Sequence, residues 1–282
     1  MPLNFATLED EVGFVFVNEA LRFGSRYDKL LQQHAKRTKS AKDMFQFGLL
    51  GSFISAKSLH LADNMLAICN DPHAIGITFD FPVHQNEALD FAKLGGVYRE
   101  VDGPLHPFAK QIGRVLNEMG ILCRSRGVDC VGGLALGIQP GCKTLNQFAT
   151  ELAKALPITF GGDGLWPCKA IRLGVLLATR FPEQFPFDLS AGVRPLPDPE
   201  LVFALRKLGA LRLGDELQSK VDQSPELVLS AQESDLLRLW AGKVVERMGV
   251  SRGDLAGDWV VEKAHQVVSL SIRKHQCESL HF

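Results

Sequence analysis

The stretch from Lys169 to Leu211, KAIRLGVLLATRFPEQFPFDLSAGVRPLPDPELVFALRKLGAL, constrains the fold more than any other part of the chain. Ile171, Leu173, Val175, Leu176, Leu177 and Ala178 make its opening run apolar on nearly every side. A run of that kind predicts a central helix, which needs other elements to cover it. The rest of the sequence offers helices. Behind the Gly103-Pro104-Leu105 turn, HPFAKQIGRVLNEMGILCRSRG sets Phe108, Ile112, Val115, Leu116 and Met119 on one helical face. Thr144 is placed to cap TLNQFATELAKAL, which ends before Pro157. A helix over 198–208 stops at Gly209, a left-handed terminator. AQESDLLRLWAGKVVERMG and DLAGDWVVEKAHQVVSLSI predict two further amphipathic helices, and apolar spacing from Met44 to Cys69 predicts one or two more. Only the residues around Ile77 to Phe81 alternate as a short strand or extended connection would. With no internal repeat and no low-complexity linker, the expected architecture is all-α, one helical domain over residues 1–282.

Charge and cysteine content exclude several classes of function. The 31 Lys and Arg nearly cancel the 32 Asp and Glu, so there is no global basic field to hold a phosphate backbone, and a nucleic-acid partner is not expected. The six cysteines, Cys69, Cys123, Cys130, Cys142, Cys168 and Cys277, form no CxxC pair and have no His-rich spacing, which argues against a zinc site. Scattered thiols suit a reducing compartment. The segment MPLNFATLEDEVG has no basic region followed by an apolar run, and no stretch reaches membrane-spanning length. A soluble cytoplasmic protein with no membrane partner is expected.

A few positions carry chemistry-bearing side chains, and each admits a structural and a functional reading. GGLALGIQPGCKT resembles a phosphate loop, but Cys142 separates Gly141 from Lys143 where a Walker loop needs them adjacent, so an NTPase is rejected. Phe23-Gly24-Ser25-Arg26-Tyr27 interrupts the apolar run from Glu11 to Leu31 and predicts a bend, either a kink between two core helices or one that exposes backbone N–H groups and an aromatic face. The basic loop QQHAKRTKSAKD reads as solvated surface able to lodge an anion, and His84 as a satisfied polar partner. Lys169 and Arg172, three apart, share a face of the first turn of the central helix. Cations there oppose the helix dipole and ask for an anionic ligand, an acidic neighbour or open solvent. Asp198, before Pro199 and Glu200, has the residue types of a helix cap first, with a catalytic carboxylate facing Lys169 as the functional reading.

Four stretches together resemble the queuosine salvage protein family. LPDPELVFALRKLGAL followed by GDEL is similar to the family's phenylalanine-alanine-aspartate, apolar helix and leucine-glycine-alanine-leucine with an acidic continuation, which sets Asp198 on the active-site aspartate. PCKAIRLGVLL is similar to the tyrosine-lysine-arginine-alanine-glutamine helix, with Lys169 on the lysine. ALRFGSRY is similar to alanine-leucine-asparagine-phenylalanine-glycine-serine-glycine-tyrosine, and LLRLWAGKVVE to an isoleucine-arginine helix, matching at Arg238 and Glu246. The chain differs from these patterns at Arg172 in place of glutamine, Arg22 in place of asparagine and Leu236 in place of glutamate. His275-Gln276-Cys277-Glu278 stands where the family ends histidine-arginine-threonine-arginine.

The resemblance implies an all-α fold reminiscent of DNA glycosylases. It also implies an N-glycosidase that cuts queuosine 5′-monophosphate to queuine and ribose 5-phosphate for tRNA queuosine salvage, without metal or organic cofactor. Asp198 would then face a transition state of oxocarbenium character and orient the attacking water. Lys169 and Arg172 would serve either the departing base or the 5′-phosphate. Phe23, Tyr27 and Trp166 would stack on the base, with Gly24 and Ser25 in the bend beside them. Arg238, Asp258 and His275 would add polar lining. The alternative is a divergent, non-catalytic relative that binds a modified nucleotide or base.

Overall fold

Helix α1, Leu8–Ala20, begins where the Thr7 hydroxyl accepts a hydrogen bond from the Asp10 N–H at 3.0 Å. Three acids, Glu9, Asp10 and Glu11, follow in its first turn, where the exposed N–H groups favour negative charge. The computed structural model describes residues 5–24, 27–34, 40–41, 45, 106–161, 167–189, 199–223, 228–247 and 276–277. Among these, the chain is mostly helical. After α1 come α2 (Asp28–His34), α3 (His106–Arg126), α4 (Val131–Ile138), α5 (Leu145–Ala155), α6 (Cys168–Arg180), α7 (Pro199–Lys207), α8 (Asp215–Gln223) and α9 (Ala231–Arg247). The expected helices within 44–69 and 254–272, the extended stretch 77–81, His84 and most of the basic loop lie outside the described residues.

The chain forms two compact units. The first holds α1 to α5 and α6 from Lys169 onward. Its closest helix contact joins α1 to α4, and glycines explain it. A Cβ added to Gly132 would sit 1.9 Å from the Glu9 carbonyl oxygen and 2.9 Å from the Gly13 nitrogen, so only hydrogen fits between these backbones. Phe108, Ile112, Val115, Leu116 and Met119, the face of α3 expected from the sequence, are fully buried. Thr144 caps α5 as expected, in a reciprocal box with Gln147. Gly174 in α6 admits α5, since a Cβ there would meet Leu145 at 2.4 Å. The GGLALGI stretch is α4 itself, with Cys130 as its cap, and not a phosphate loop.

The second unit packs Leu201, Val202 and Leu205 of α7 against Val221 of α8 and Leu237, Ala241 and Val245 of α9. Helix α7 ends as expected: Gly209 takes φ +73° and the Ala210 N–H donates to the Leu205 carbonyl at 2.9 Å. Ser230 and Glu233 cap each other's backbone N–H at the start of α9. Two features depart from the all-helical reading. Helix α8 was not expected, and two short strands, β1 (Val228–Leu229) and β2 (Gln276–Cys277), pair in parallel.

Among the described residues no helix is long and apolar enough to cross a membrane, and no group of three or more His, Cys, Asp or Glu is placed to hold a metal ion. Burial, helped by neighbouring Cys130, pushes the Cys123 thiol from 9.0 up to about 11.

Two predictions follow from this packing. Gly132→Ala should cost roughly 2–4 kcal/mol in urea unfolding, because backbone rather than a flexible side chain must give way. Gly137→Ala in the same helix, where a Cβ would meet nothing within 4 Å, should gain about 0.5–1 kcal/mol. For Cys123, the native chain binds the proton more tightly than the unfolded chain does. Its contribution to stability is therefore complete below pH 9.0 and declines as pH rises toward 11. Unfolding free energies measured across that window should fall more steeply for the parent than for Cys123→Ala.

Candidate functional site

Helices α1 and α6 meet in antiparallel order, tied at both ends. At one end the Arg180 guanidinium donates to Glu11, with Nε 2.7 Å from the carboxylate. At the other, the Lys169 ammonium donates to the carbonyl of Ala20, the last residue of α1. The last carbonyls of a helix have no partner within it and carry the negative end of its dipole. Lys169 therefore caps α1 from the first turn of α6. Its side chain is buried, with the ammonium 5.2 Å from the Phe23 ring centre and 5.7 Å from that of Phe160. Two aromatic faces beside a desolvated ammonium add about 2 kcal/mol each at most.

Phe160 is held by a residue that sequence reasoning missed. The Glu118 carboxylate of α3 accepts from the Ile158 N–H, the Thr159 N–H and the Thr159 hydroxyl, each at 2.7 Å. These bonds pin the π-helical turn Pro157–Gly161 that follows α5 and set Phe160 edge-on to Phe16 at 5.4 Å. Nothing local in the sequence marks Glu118 out, since α3 also carries Lys110, Gln111, Arg114 and Asn117.

The predicted bend is present and turns its aromatics inward. Gly24 takes φ +92°, and the Tyr27 N–H donates to the Gly24 carbonyl at 2.8 Å. Phe23 and Tyr27 are buried on Phe108, with ring centres 6.0 and 4.8 Å away, and Phe45 joins them. Of the two readings of the bend, the structure has the kink between helices with its aromatics in the core, Phe108 packing against both rings.

Glu19, a second residue that the sequence did not single out, lies beneath two arginines. Arg172 Nε is 3.5 Å from its Oε1, and Arg22 Nη1 is 4.0 Å from its Oε2. Glu19 is the acidic neighbour that Arg172, at the start of α6, called for.

Lys169, Phe23, Gly24, Tyr27 and Arg172 are thus gathered in the first unit. Arg238 belongs to the second. The residue is 1% exposed, and its guanidinium donates to the Cys168 sulfur at 3.3 Å and lies 3.7 Å from Asp235. Leu236, beside it in α9, is half exposed. Asp198, Ser25, Trp166, Asp258 and His275 lie outside the described residues. A cleft of about 350 Å³ along Arg114, Glu118, Ile121, Leu122, Ser125, Ala155 and Ile158 contains none of the residues expected from the sequence. No protein-family model matches the chain, and no curated protein matches it.

Gly24→Ala tests the aromatic cluster. It combines a backbone conformation unfavourable to alanine with a Cβ 2.3 Å from the Phe108 ring, so a loss of about 2–3 kcal/mol is expected. Weaker near-ultraviolet circular dichroism from the Tyr27 and phenylalanine rings should accompany it.

Proposed function

We propose that this chain is a hydrolase that cleaves the N-glycosidic bond of queuosine 5′-monophosphate, releasing queuine and ribose 5-phosphate. One observation carries the proposal. ALRFGSRY and PCKAIRLGVLL, two of the four stretches that bear the resemblance, meet at one buried ammonium, where Lys169 binds the Ala20 carbonyl beside Phe23. These stretches are separated by about 140 residues of sequence, and their meeting is what a shared site requires.

The chemistry asks for an anion below the ribose as the base departs with the bonding electron pair and positive charge builds on the ring oxygen and anomeric carbon. Asp198 supplies that anion and orients the attacking water. Queuine is a 7-deazaguanine and lacks the N7 that guanine can protonate, so its departure depends on hydrogen bonds and positive charge at its other edge. Lys169 supplies positive charge from a position fixed by α1. No metal or organic cofactor takes part.

A second reading is favoured by the same bond. An ammonium that caps a helix is explained by the fold alone, which suits a relative that binds a modified nucleotide or its base without cutting it.

Incubation with queuosine 5′-monophosphate, with the unphosphorylated nucleoside alongside, separates the two readings by chromatography of the free base. The parent should release queuine, and Asp198→Asn should release it at least about 10²-fold more slowly. Asn caps a helix about as well as Asp, so melting should be nearly unchanged. Equal release by both proteins would refute the role of Asp198. A ligand-dependent melting shift in the parent without any release would establish the binding reading instead.

A further inference from the structure

The cleft between α3 and the turn after α5 lies outside the four stretches that carry the resemblance, and its walls hold two opposite charges that do not pair. Arg114 and Glu118 stand one turn apart on α3, about 6 Å along its axis, a spacing at which a guanidinium and a carboxylate can meet. They stay apart because Glu118 is drawn to the turn Pro157–Gly161, where it accepts from the Ile158 and Thr159 N–H groups and the Thr159 hydroxyl. Those three donors fill three of the roughly four acceptor positions of a carboxylate and bring no countercharge. Among the described residues neither Arg114 nor Glu118 has an ion-pair partner. Between them and the end of α5 the cleft is aliphatic, lined by Ile121, Leu122, Ala155 and Ile158. Ile121 is 63% exposed, on the face of α3 turned away from its buried one. The volume of about 350 Å³ falls within the range of small-molecule sites, roughly 300–1,000 Å³, and the bonds from Glu118 hold one wall in place without a ligand.

We infer that this cleft binds a free α-amino acid with an aliphatic side chain. The α-carboxylate pairs with the Arg114 guanidinium, whose planar fork suits it. The α-ammonium takes the remaining acceptor position of Glu118, and the side chain covers Ile121, Leu122, Ala155 and Ile158. Charge complementarity selects a zwitterion: a fatty acid would answer Arg114 but set a second anion beside Glu118, and an alkylamine would do the reverse beside Arg114. The inference does not depend on the hydrolase reading.

Calorimetric titration of the full chain with L-leucine, glycine, N-acetylleucine and leucinamide tests each contact in turn, since the last three lack the side chain, the ammonium and the free carboxylate respectively. The parent should bind leucine at least about tenfold more tightly than any of the others. Arg114→Gln should lower leucine affinity about tenfold without weakening leucinamide. Ala155→Met, which extends a side chain into the cleft from a half-buried position at the end of α5, should abolish leucine binding and leave the melting temperature near that of the parent. Glu118→Gln should erase the preference for leucine over N-acetylleucine. Because Glu118 also holds the turn, Arg114→Gln and Ala155→Met carry the test if that variant fails to fold. N-acetylleucine binding as tightly as leucine would overturn the role of Glu118 and with it the amino-acid assignment. Leucinamide binding as tightly would overturn it in favour of a peptide amino terminus. Failure of the parent to bind leucine, or leucine binding unchanged in both Arg114→Gln and Ala155→Met, would remove the site, whatever the outcome of the queuine assay.

Discussion

The first unit depends on a contact that excludes side chains altogether. Where α1 crosses α4, the Gly132 Cα and the backbone of Glu9 and Gly13 are so close that a methyl group would have no room. Close backbone approach fixes helix positions more tightly than interdigitating long side chains, because the hard cores of main-chain atoms leave no rotamer to change. With its first half held this way, α1 becomes a rigid rod whose far end delivers Glu19, Ala20 and, after the turn, Phe23. Ala20 and Phe23 are brought to Lys169 by that rod, while Phe160 is set there by the turn that Glu118 pins.

Helix ends supply the electrostatics. The start of α6 is an unfavourable place for cations, and Lys169 and Arg172 are both there. Antiparallel pairing resolves the conflict, because it brings the carbonyl end of α1 to the amide end of α6 and lets one helix satisfy the other's charges. The opposite ends follow the same logic with signs reversed: Arg180 lies in the last turn of α6 and Glu11 in the first turn of α1. Local dipoles and the long-range ion pair therefore favour the same arrangement, and such agreement between levels is what a well-specified fold needs.

Much of this fold was legible because its signals are local. The apolar face of α3, the Thr144 box and the Gly209 terminator depend on residues within a turn or two of one another. Helix α8 was missed because its hydrophobic residues are few and its first turn reads as an acidic loop. The parallel pairing of Val228–Leu229 with Gln276–Cys277 joins segments nearly fifty residues apart, and nothing in either dipeptide announces a partner. At the site, the sequence located Lys169, Arg172 and the glycine bend. It missed Glu19, Glu118 and Phe160, because a carboxylate or ring that pairs across the fold is meaningful only once its partners are known, and those partners lie as much as 153 positions away at Arg172. The direction of the aromatic bend stayed open for a related reason: Phe108, which packs against Phe23 and Tyr27, comes more than eighty residues later.

The energetics of Lys169 bear on whether it is only a cap. A hydrogen bond to a charged donor contributes about 1.5–3 kcal/mol net, while taking an ammonium out of water costs several kcal/mol even after relaxation. The ring faces of Phe23 and Phe160 offset part of that cost. A methionine of similar length would keep the packing, leave the Ala20 carbonyl to other donors and incur none of the charge penalty. An apolar residue would avoid the charge penalty, but only a donor at this position ties the start of α6 to the last carbonyl of α1. The same comparison applies to Glu19, whose carboxylate opposes its own helix dipole and becomes favourable only through the two arginines it gathers.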